Sequence, residues 1–130
     1  MPKQNATQLK KAIQQEYLIC AKDPIYFMRK YCTIQHPKKG KLKFNLYNYQ
    51  EDVLNQLRSN RYNIVLKARQ LGLSTLTAGY SLWTLLFHND KNILCIATGK
   101  DTAKNLVTKV RVMYNHLPAW LKTKIEEDNK

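Results

Sequence analysis

The chain has 130 residues, which is enough for one compact domain and too few for two. An apolar fraction of 44% excludes a disordered composition, and no apolar run reaches the roughly 18 residues of a membrane span. The polar first 20 residues lack the apolar core of a signal peptide, so we expect an intracellular protein. Twenty-two Lys and Arg against nine Asp and Glu give a net charge of +13. Such a basic domain commonly meets a polyanion, nucleic acid first, although an acidic partner or a merely solubilising surface is the alternative.

The first half of the chain predicts helices and a turn. Residues 7–21 place apolar side chains at three- and four-residue spacing, which is typical of an amphipathic helix. The Asp-Pro pair at residues 23–24 predicts an N-cap and the first residue of a second helix. The basic segment 36–43 predicts a turn or hairpin. Asn48, with Glu51 three residues later, predicts a capping box at the start of a third helix.

The second half alternates predicted strands with predicted helices. Residues 62–67 and 92–97 are β-rich, and the second run has the unbroken apolar character of a parallel strand covered on both faces. Residues 74–87 are apolar on nearly every side, which predicts a buried helix, and residues 101–117 carry an apolar stripe. This order predicts an α/β fold of parallel strands with crossover helices, preceded by N-terminal helices.

Residues 67–75, with the sequence KARQLGLST, join the first predicted strand to the predicted buried helix. A phosphate-binding loop belongs at such a junction, because the first N–H groups of a helix are unpaired and attract anions. Against the pattern GxxxxGK[ST], Gly72 falls on the second glycine and Ser74 on the hydroxyl that ligates Mg²⁺. Two positions depart from the pattern, since Lys67 replaces the first glycine and Leu73 replaces the lysine.

Leu73 cannot supply the positive charge that phosphoryl transfer needs, so another side chain has to. Lys67 stands at the front of the loop and Arg69 inside it, and either side chain can reach back over bound phosphates. We favour Lys67 as the phosphate clamp and assign Arg69 as an arginine finger or sensor, because a guanidinium can fork onto a γ-phosphate. These two are the predicted catalytic residues. The alternative is an ordinary strand–turn–helix without a ligand.

Two stretches of the chain resemble a known family. The sequences FNLYNYQ and NRYNIVLKARQLGLST resemble the ATPase domain of large terminase subunits, the DNA packaging motors of tailed bacteriophages, and the myovirus type in particular. Some of these enzymes place a lysine at the front of the loop, as Lys67 is here. The resemblance implies a helicase-like (ASCE) P-loop NTPase half-domain that uses ATP and Mg²⁺. The two stretches are residues 44–50 and 60–75, the similarity continues at 89–97 and 114–121, and it covers about residues 27–125.

The resemblance also assigns a nucleotide site. Tyr49 and Gln50 match the aromatic–Gln pair that holds adenine in these ATPases, where a ring can stack on the base and an amide can both donate to it and accept from it. The alternative is a core-facing Tyr49 and a solvated Gln50. The implied metal ligand is Ser74. The implied nucleotide contacts are Tyr49, Gln50, Lys67, Ala68, Arg69, Gln70, Leu71, Gly72, Leu73, Ser74 and Thr75.

Partners and domain organisation follow from the same resemblance. It implies a helical lead over residues 1–35 and the N-terminal part of a P-loop ATPase domain over residues 36–130. The implied partners are double-stranded viral DNA, a portal protein, a small terminase subunit and further copies in a ring, in the cytoplasm of an infected bacterium and transiently at the procapsid portal vertex. DNA backbone contact is expected on one side of the last helix, with a solvated basic face as the alternative. That side carries Lys100, Lys104 and Arg111.

An acidic motif of this ATPase class is missing from the sequence. The class needs an apolar strand ending in Asp-Glu, to order Mg²⁺ and to activate water. The acidic cluster at residues 126–128 lies in a polar tail instead, and the nuclease domain of the family is absent. We therefore expect a fragment that binds nucleotide weakly and hydrolyses it negligibly. Two alternatives are another helicase-like DNA translocase and a basic DNA-binding module without nucleotide chemistry.

Overall fold

Helices dominate the computed structural model, which describes residues 2–36 and 38–123. Two short strands, β1 (Thr33–His36) and β2 (Gly40–Lys43), pair antiparallel in the register Thr33↔Lys43 to His36↔Gly40. Within the described residues, no helix combines the length and the apolar character needed to cross a membrane. The helices are α1 (Pro2–Lys22), α2 (Pro24–Tyr31), α3 (Asn48–Ser59), α4 (Leu73–Phe87) and α5 (Lys100–Asn115), followed by a 3₁₀ turn at Ala119–Leu121.

The predicted α/β fold, a P-loop half-domain of parallel strands with crossover helices, is wrong for this structure. Residues 62–67 and 92–97 have irregular backbone, and the one sheet among the described residues is the β1–β2 hairpin. Ile64 and Leu66 are fully exposed, and Ile96 is 85% exposed. A strand requires a neighbour for its N–H and C=O groups, whereas β-rich composition supplies only a preference. Helices α4 and α5 pack directly on each other, so helix–helix contacts form the interior that a sheet was expected to form.

Helices predicted from apolar spacing are present. The predictions at residues 7–21, 74–87 and 101–117 correspond to α1, α4 and α5, with bounds shifted by a few residues. The predicted cap of α2 is confirmed, because the Asp23 carboxylate accepts hydrogen bonds from the backbone N–H groups of Ile25 at 2.9 Å and of Tyr26 at 3.2 Å. Such a cap satisfies donors that have no partner within the helix.

The predicted capping box at the start of α3 is displaced by one residue. Asn48 is the first helical residue and Tyr47 is the N-cap. The side chain that reaches back is Gln50, whose Oε1 accepts from the Tyr47 N–H at 3.0 Å. Glu51, predicted for that task, pairs with Arg29 of α2 instead. Glu51 thus links α3 to α2 through Arg29, and the Gln50 side chain is buried.

One hydrophobic cluster joins the first two helices to α4. Phe27 of α2 is fully buried and meets Phe87 of α4 edge-on, with the ring centroids 5.4 Å apart. The ring centroid of Tyr17 of α1 lies 5.0 Å from that of the same Phe87. The Trp83 indole N–H donates to the Cys20 carbonyl at 2.8 Å. The predicted helical lead therefore shares its core with the segment that follows it.

Glu16 ties α1 to α2 through three donors. Its Oε1 accepts from the Lys30 ammonium at 2.6 Å, the Tyr31 hydroxyl at 2.7 Å and the Tyr26 hydroxyl at 2.9 Å. The hydrogen bond from Lys30, followed by that from Tyr31, lowers the pKa of Glu16 to about 2. Burial and the nearby carboxylate raise the pKa of Tyr31, which keeps its hydroxyl a donor. The ionised carboxylate is therefore the form that the fold favours.

Glu16→Gln is expected to lower the midpoint of thermal unfolding by a few degrees at neutral pH, and by less in acid. The pKa of about 2 in the folded protein lies below the ordinary glutamate value of 4.5, so the stabilisation is fully present above about pH 4.5 and is lost as the pH falls through about 2. Thermal melts of both proteins from about pH 7 to about pH 2.5 test this, with the exposed Asp52→Asn as the control carboxylate. A difference that stays constant with pH would contradict the role of the Glu16 charge.

Candidate nucleotide-binding site

Residues 67–75 lead from irregular chain into α4 through a tight turn. Gln70 and Gly72 have φ values of +62° and +69°, in the left-handed region. This backbone costs a non-glycine residue such as Gln70 about 1 kcal/mol. Gly72 is the N-cap of α4. All residues of the first turn of α4 are described by the structure, and among them there is no acidic side chain and no side-chain cap. The partial positive charge of the helix start therefore faces the loop.

Lys67 and Ser74 line one small cavity beside the start of α4. The cavity has a volume of about 240 Å³ and is otherwise lined mainly by apolar side chains of α3, α4 and α5. This volume is below the roughly 300–1,000 Å³ of a site that encloses a whole ligand. The Lys67 ammonium donates to the neighbouring Ala68 carbonyl at 3.2 Å, and the side chain is exposed. The structure thus brings together the predicted clamp and the predicted metal-ligating hydroxyl.

Tyr49 and Gln50 both donate to one carbonyl of the loop. The Tyr49 hydroxyl lies 2.7 Å from the Leu71 oxygen, and the Gln50 Nε2 lies 3.2 Å from the same atom. Gln50 is only 2% exposed, which excludes the alternative of a solvated side chain. The residues predicted to hold the base therefore contact the loop predicted to hold the phosphates, across 21 and 22 residues of sequence.

Gly72 lies where the loop contacts α3. A Cβ atom built on Gly72 would lie 2.7 Å from the Gln50 Nε2, which is closer than real Cβ contacts allow. The positive φ of Gly72 also disfavours any L side chain. The glycine that matched the phosphate-loop pattern thus lets the loop backbone lie against the buried Gln50 amide.

Two side chains near the site were not predicted from the sequence to belong to it. Lys109 of α5 places its ammonium 3.5 Å from the Thr75 hydroxyl, a long contact across 34 residues that no local pattern signals. Tyr47 stacks on Tyr49, with ring centroids 5.7 Å apart and planes 9° apart. The only available signal for Tyr47 was an aromatic residue two positions before the predicted base-binding pair.

Other predicted residues are not gathered at this cavity. Arg69 lies in an exposed turn and does not line the cavity of Lys67 and Ser74. On α5, Lys100 and Lys104 are exposed, whereas Arg111 is half-buried. The basic side of this helix is therefore only partly open to a large ligand.

The exposed Ser74 hydroxyl, at the second position of α4, suits the chemistry of a magnesium ligand. Mg²⁺ takes oxygen ligands and is commonly held by few protein groups together with phosphate oxygens and water. Among the described residues that line this cavity there is no carboxylate. Ser74 fits the ion only as one ligand of a nucleotide complex.

A comparison of the chain with protein-family models finds no match. The likeness to terminase large subunits therefore stays a prediction from the residues at 44–50 and 60–75.

Proposed function

We propose that this chain binds the phosphates of ATP at the start of α4, as the nucleotide-binding part of a DNA packaging ATPase of the terminase large-subunit type. The observation that carries the proposal is the convergence on the Leu71 carbonyl. Tyr49 and Gln50 donate to it, and the same loop presents Lys67 and Ser74 to one cavity. Two sequence elements with separately predicted nucleotide contacts are thus in direct contact.

Charge neutralisation is the chemical task of this site. The helix start supplies partial positive charge and N–H donors, and Lys67, which lines the same cavity, supplies a full charge. The exposed bond from Lys67 to the Ala68 carbonyl can be exchanged for a bond to a phosphate oxygen. Ser74 would hold Mg²⁺, which when bound offsets the charge of the phosphates. Arg69, in its exposed turn, is the proposed second cation for the γ-phosphate.

Binding without efficient turnover is the expected activity. Hydrolysis in this class requires a carboxylate to activate water, and the described side chains around the cavity include none. In the complete motor the proposed partners are double-stranded viral DNA, which would meet the exposed Lys100 and Lys104, a portal protein and a small terminase subunit. The proposed location is the cytoplasm of the infected bacterium.

Lys67→Ala and Ser74→Ala are each expected to weaken binding of Mg²⁺–ATP about tenfold or more. A tenfold loss corresponds to about 1.4 kcal/mol, within the range of a charge-assisted hydrogen bond. Isothermal titration calorimetry checks this at fixed ionic strength. Lys41→Ala is the matched control, because Lys41 is an exposed lysine on β2 whose loss removes the same charge from a net of +13.

A basic DNA-binding module is the second candidate, and the net charge of +13 favours it. That function predicts DNA binding that falls steeply with salt and survives Lys67→Ala. Equal weakening of ATP binding by Lys67→Ala and Lys41→Ala would likewise mean that ATP meets only a diffuse positive surface. That equal weakening contradicts the proposed phosphate site, whereas salt-dependent DNA binding alone does not, because DNA is also a proposed partner of Lys100 and Lys104.

A further inference from the structure

The Gln50 amide is already engaged at both ends. Its Oε1 accepts from the Tyr47 N–H at 3.0 Å, and its Nε2 donates to the Leu71 carbonyl at 3.2 Å. The side chain is 2% exposed, and the backbone of Gly72 closes the space beside Nε2. Reading the edge of a base would require both amide ends to turn outward, leaving the Tyr47 N–H without this acceptor.

An exposed aromatic pair lies beside the same loop. Tyr47 is 66% exposed and Tyr49 is 40% exposed, and their rings are nearly parallel, with planes 9° apart. The hydroxyl of Tyr49 is anchored to the Leu71 carbonyl, and the backbone of Tyr47 is anchored to Gln50. The Tyr49 ring is therefore held beside the loop, the Tyr47 ring stacks on it, and much of the surface of both rings stays in water.

Stacking and edge recognition differ in what they select. Every base has a π-face, so stacking on an aromatic ring tolerates any base. Hydrogen bonds to the base edge distinguish one base from another, because the donor and acceptor positions differ. A site with exposed aromatic rings and an amide already hydrogen-bonded within the protein can bind a base by stacking without distinguishing one base from another.

We infer that Tyr47 and Tyr49 form a stacking platform for the nucleobase, so that the site takes nucleoside triphosphates without selecting adenine, an inference that rests on the nucleotide-binding function proposed above. Gln50 is a positioning residue, which holds Tyr47 and Leu71 in place and does not contact the base. Tyr47 becomes a binding residue that neither the loop pattern nor the aromatic–Gln pair assigned.

Titrations of the unaltered chain with ATP, GTP, CTP and inorganic tripolyphosphate test the inference, each with Mg²⁺ and at one ionic strength. We expect ATP and GTP to bind within about threefold of each other, and tripolyphosphate about tenfold more weakly, because only the base can stack. Tyr47→Ala should reduce the affinity for ATP to about that for tripolyphosphate and leave tripolyphosphate binding unchanged. Tyr47→Phe should bind like the unaltered chain, and Tyr62→Ala, which removes another exposed tyrosine, is the matched control.

The outcomes separate this inference from the function on which it rests. A preference of the unaltered chain for ATP over GTP of more than about thirtyfold overturns the stacking platform and leaves phosphate binding at Lys67 intact. Equal affinities for ATP and tripolyphosphate also overturn the platform alone. Failure of every nucleotide and of tripolyphosphate to bind overturns both. The comparison of nucleotides uses the unaltered chain, so it decides the matter even where a variant does not fold.

Discussion

Gly72→Ala is expected to lower the free energy of unfolding by about 3 kcal/mol. The φ of +69° contributes about 1–2 kcal/mol, because an L side chain is unfavourable in this region. The new Cβ would also lie 2.7 Å from the Gln50 Nε2. That amide cannot withdraw without losing its bond to Leu71 or to Tyr47, and an unsatisfied buried polar group costs about 1–3 kcal/mol.

Gly40→Ala is the matched control for this substitution. Gly40 has a φ of +71°, but a Cβ built there meets nothing within 4 Å. The control therefore carries the backbone cost alone, about 1–2 kcal/mol. Urea denaturation followed by circular dichroism measures both variants. Equal losses at the two glycines would show that the loop does not lie against Gln50 in solution. The double variant Gly72→Ala/Gln50→Ala should lose less than the sum of the single losses, because the smaller side chain removes the clash.

Leu76→Ala and Leu66→Ala are expected to differ by about 3 kcal/mol, although they delete the same atoms. Leu76 of α4 is fully buried in the hydrophobic cluster, and a buried leucine truncated to alanine costs about 2–5 kcal/mol. Leu66 is fully exposed in the irregular segment before the loop. Its truncation should change the free energy of unfolding by no more than about 0.5 kcal/mol.

Chemical denaturation of the two leucine variants tests whether Leu66 is exposed, as in this structure, or buried in a strand, as the sequence predicted. Residues 62–67 were predicted to form a strand of a parallel sheet, and a Leu66 buried in that sheet would be as costly to truncate as Leu76. A loss of about 2 kcal/mol or more at Leu66 would therefore contradict its exposure in this structure.

Predictions that depended on residues close in sequence were largely confirmed. Asp23 caps α2 because the cap bonds span two or three residues, and the apolar spacing of residues 74–87 produced α4. The capping box of α3 lies one residue earlier than predicted, with Gln50 bonded to the Tyr47 N–H and Glu51 paired with Arg29 of α2. Local patterns of this kind carry the information for a helix, although its first residue can differ by one.

Predictions that depended on distant partners were not confirmed. Residues 62–67 and 92–97 have the composition of strands, but a strand exists only when another segment takes up its backbone hydrogen bonds. Among the described residues none does so, and the helices pack on each other instead. The sequence also did not predict that both ends of the Gln50 amide are hydrogen-bonded within the protein. Its two partners lie three residues before it and 21 residues after it.

By itself the sequence determined the positions of the helices, and it predicted a phosphate loop with Lys67, Gly72 and Ser74 as its distinctive residues. These follow from periodicity, capping and a spacing pattern, which act over a few residues. Only the tertiary structure decided that the interior is helical and that Tyr49 and Gln50 hold the Leu71 carbonyl. These contacts join segments that are distant along the chain, and they form only where the packing of α3 against α4 brings donor and acceptor together.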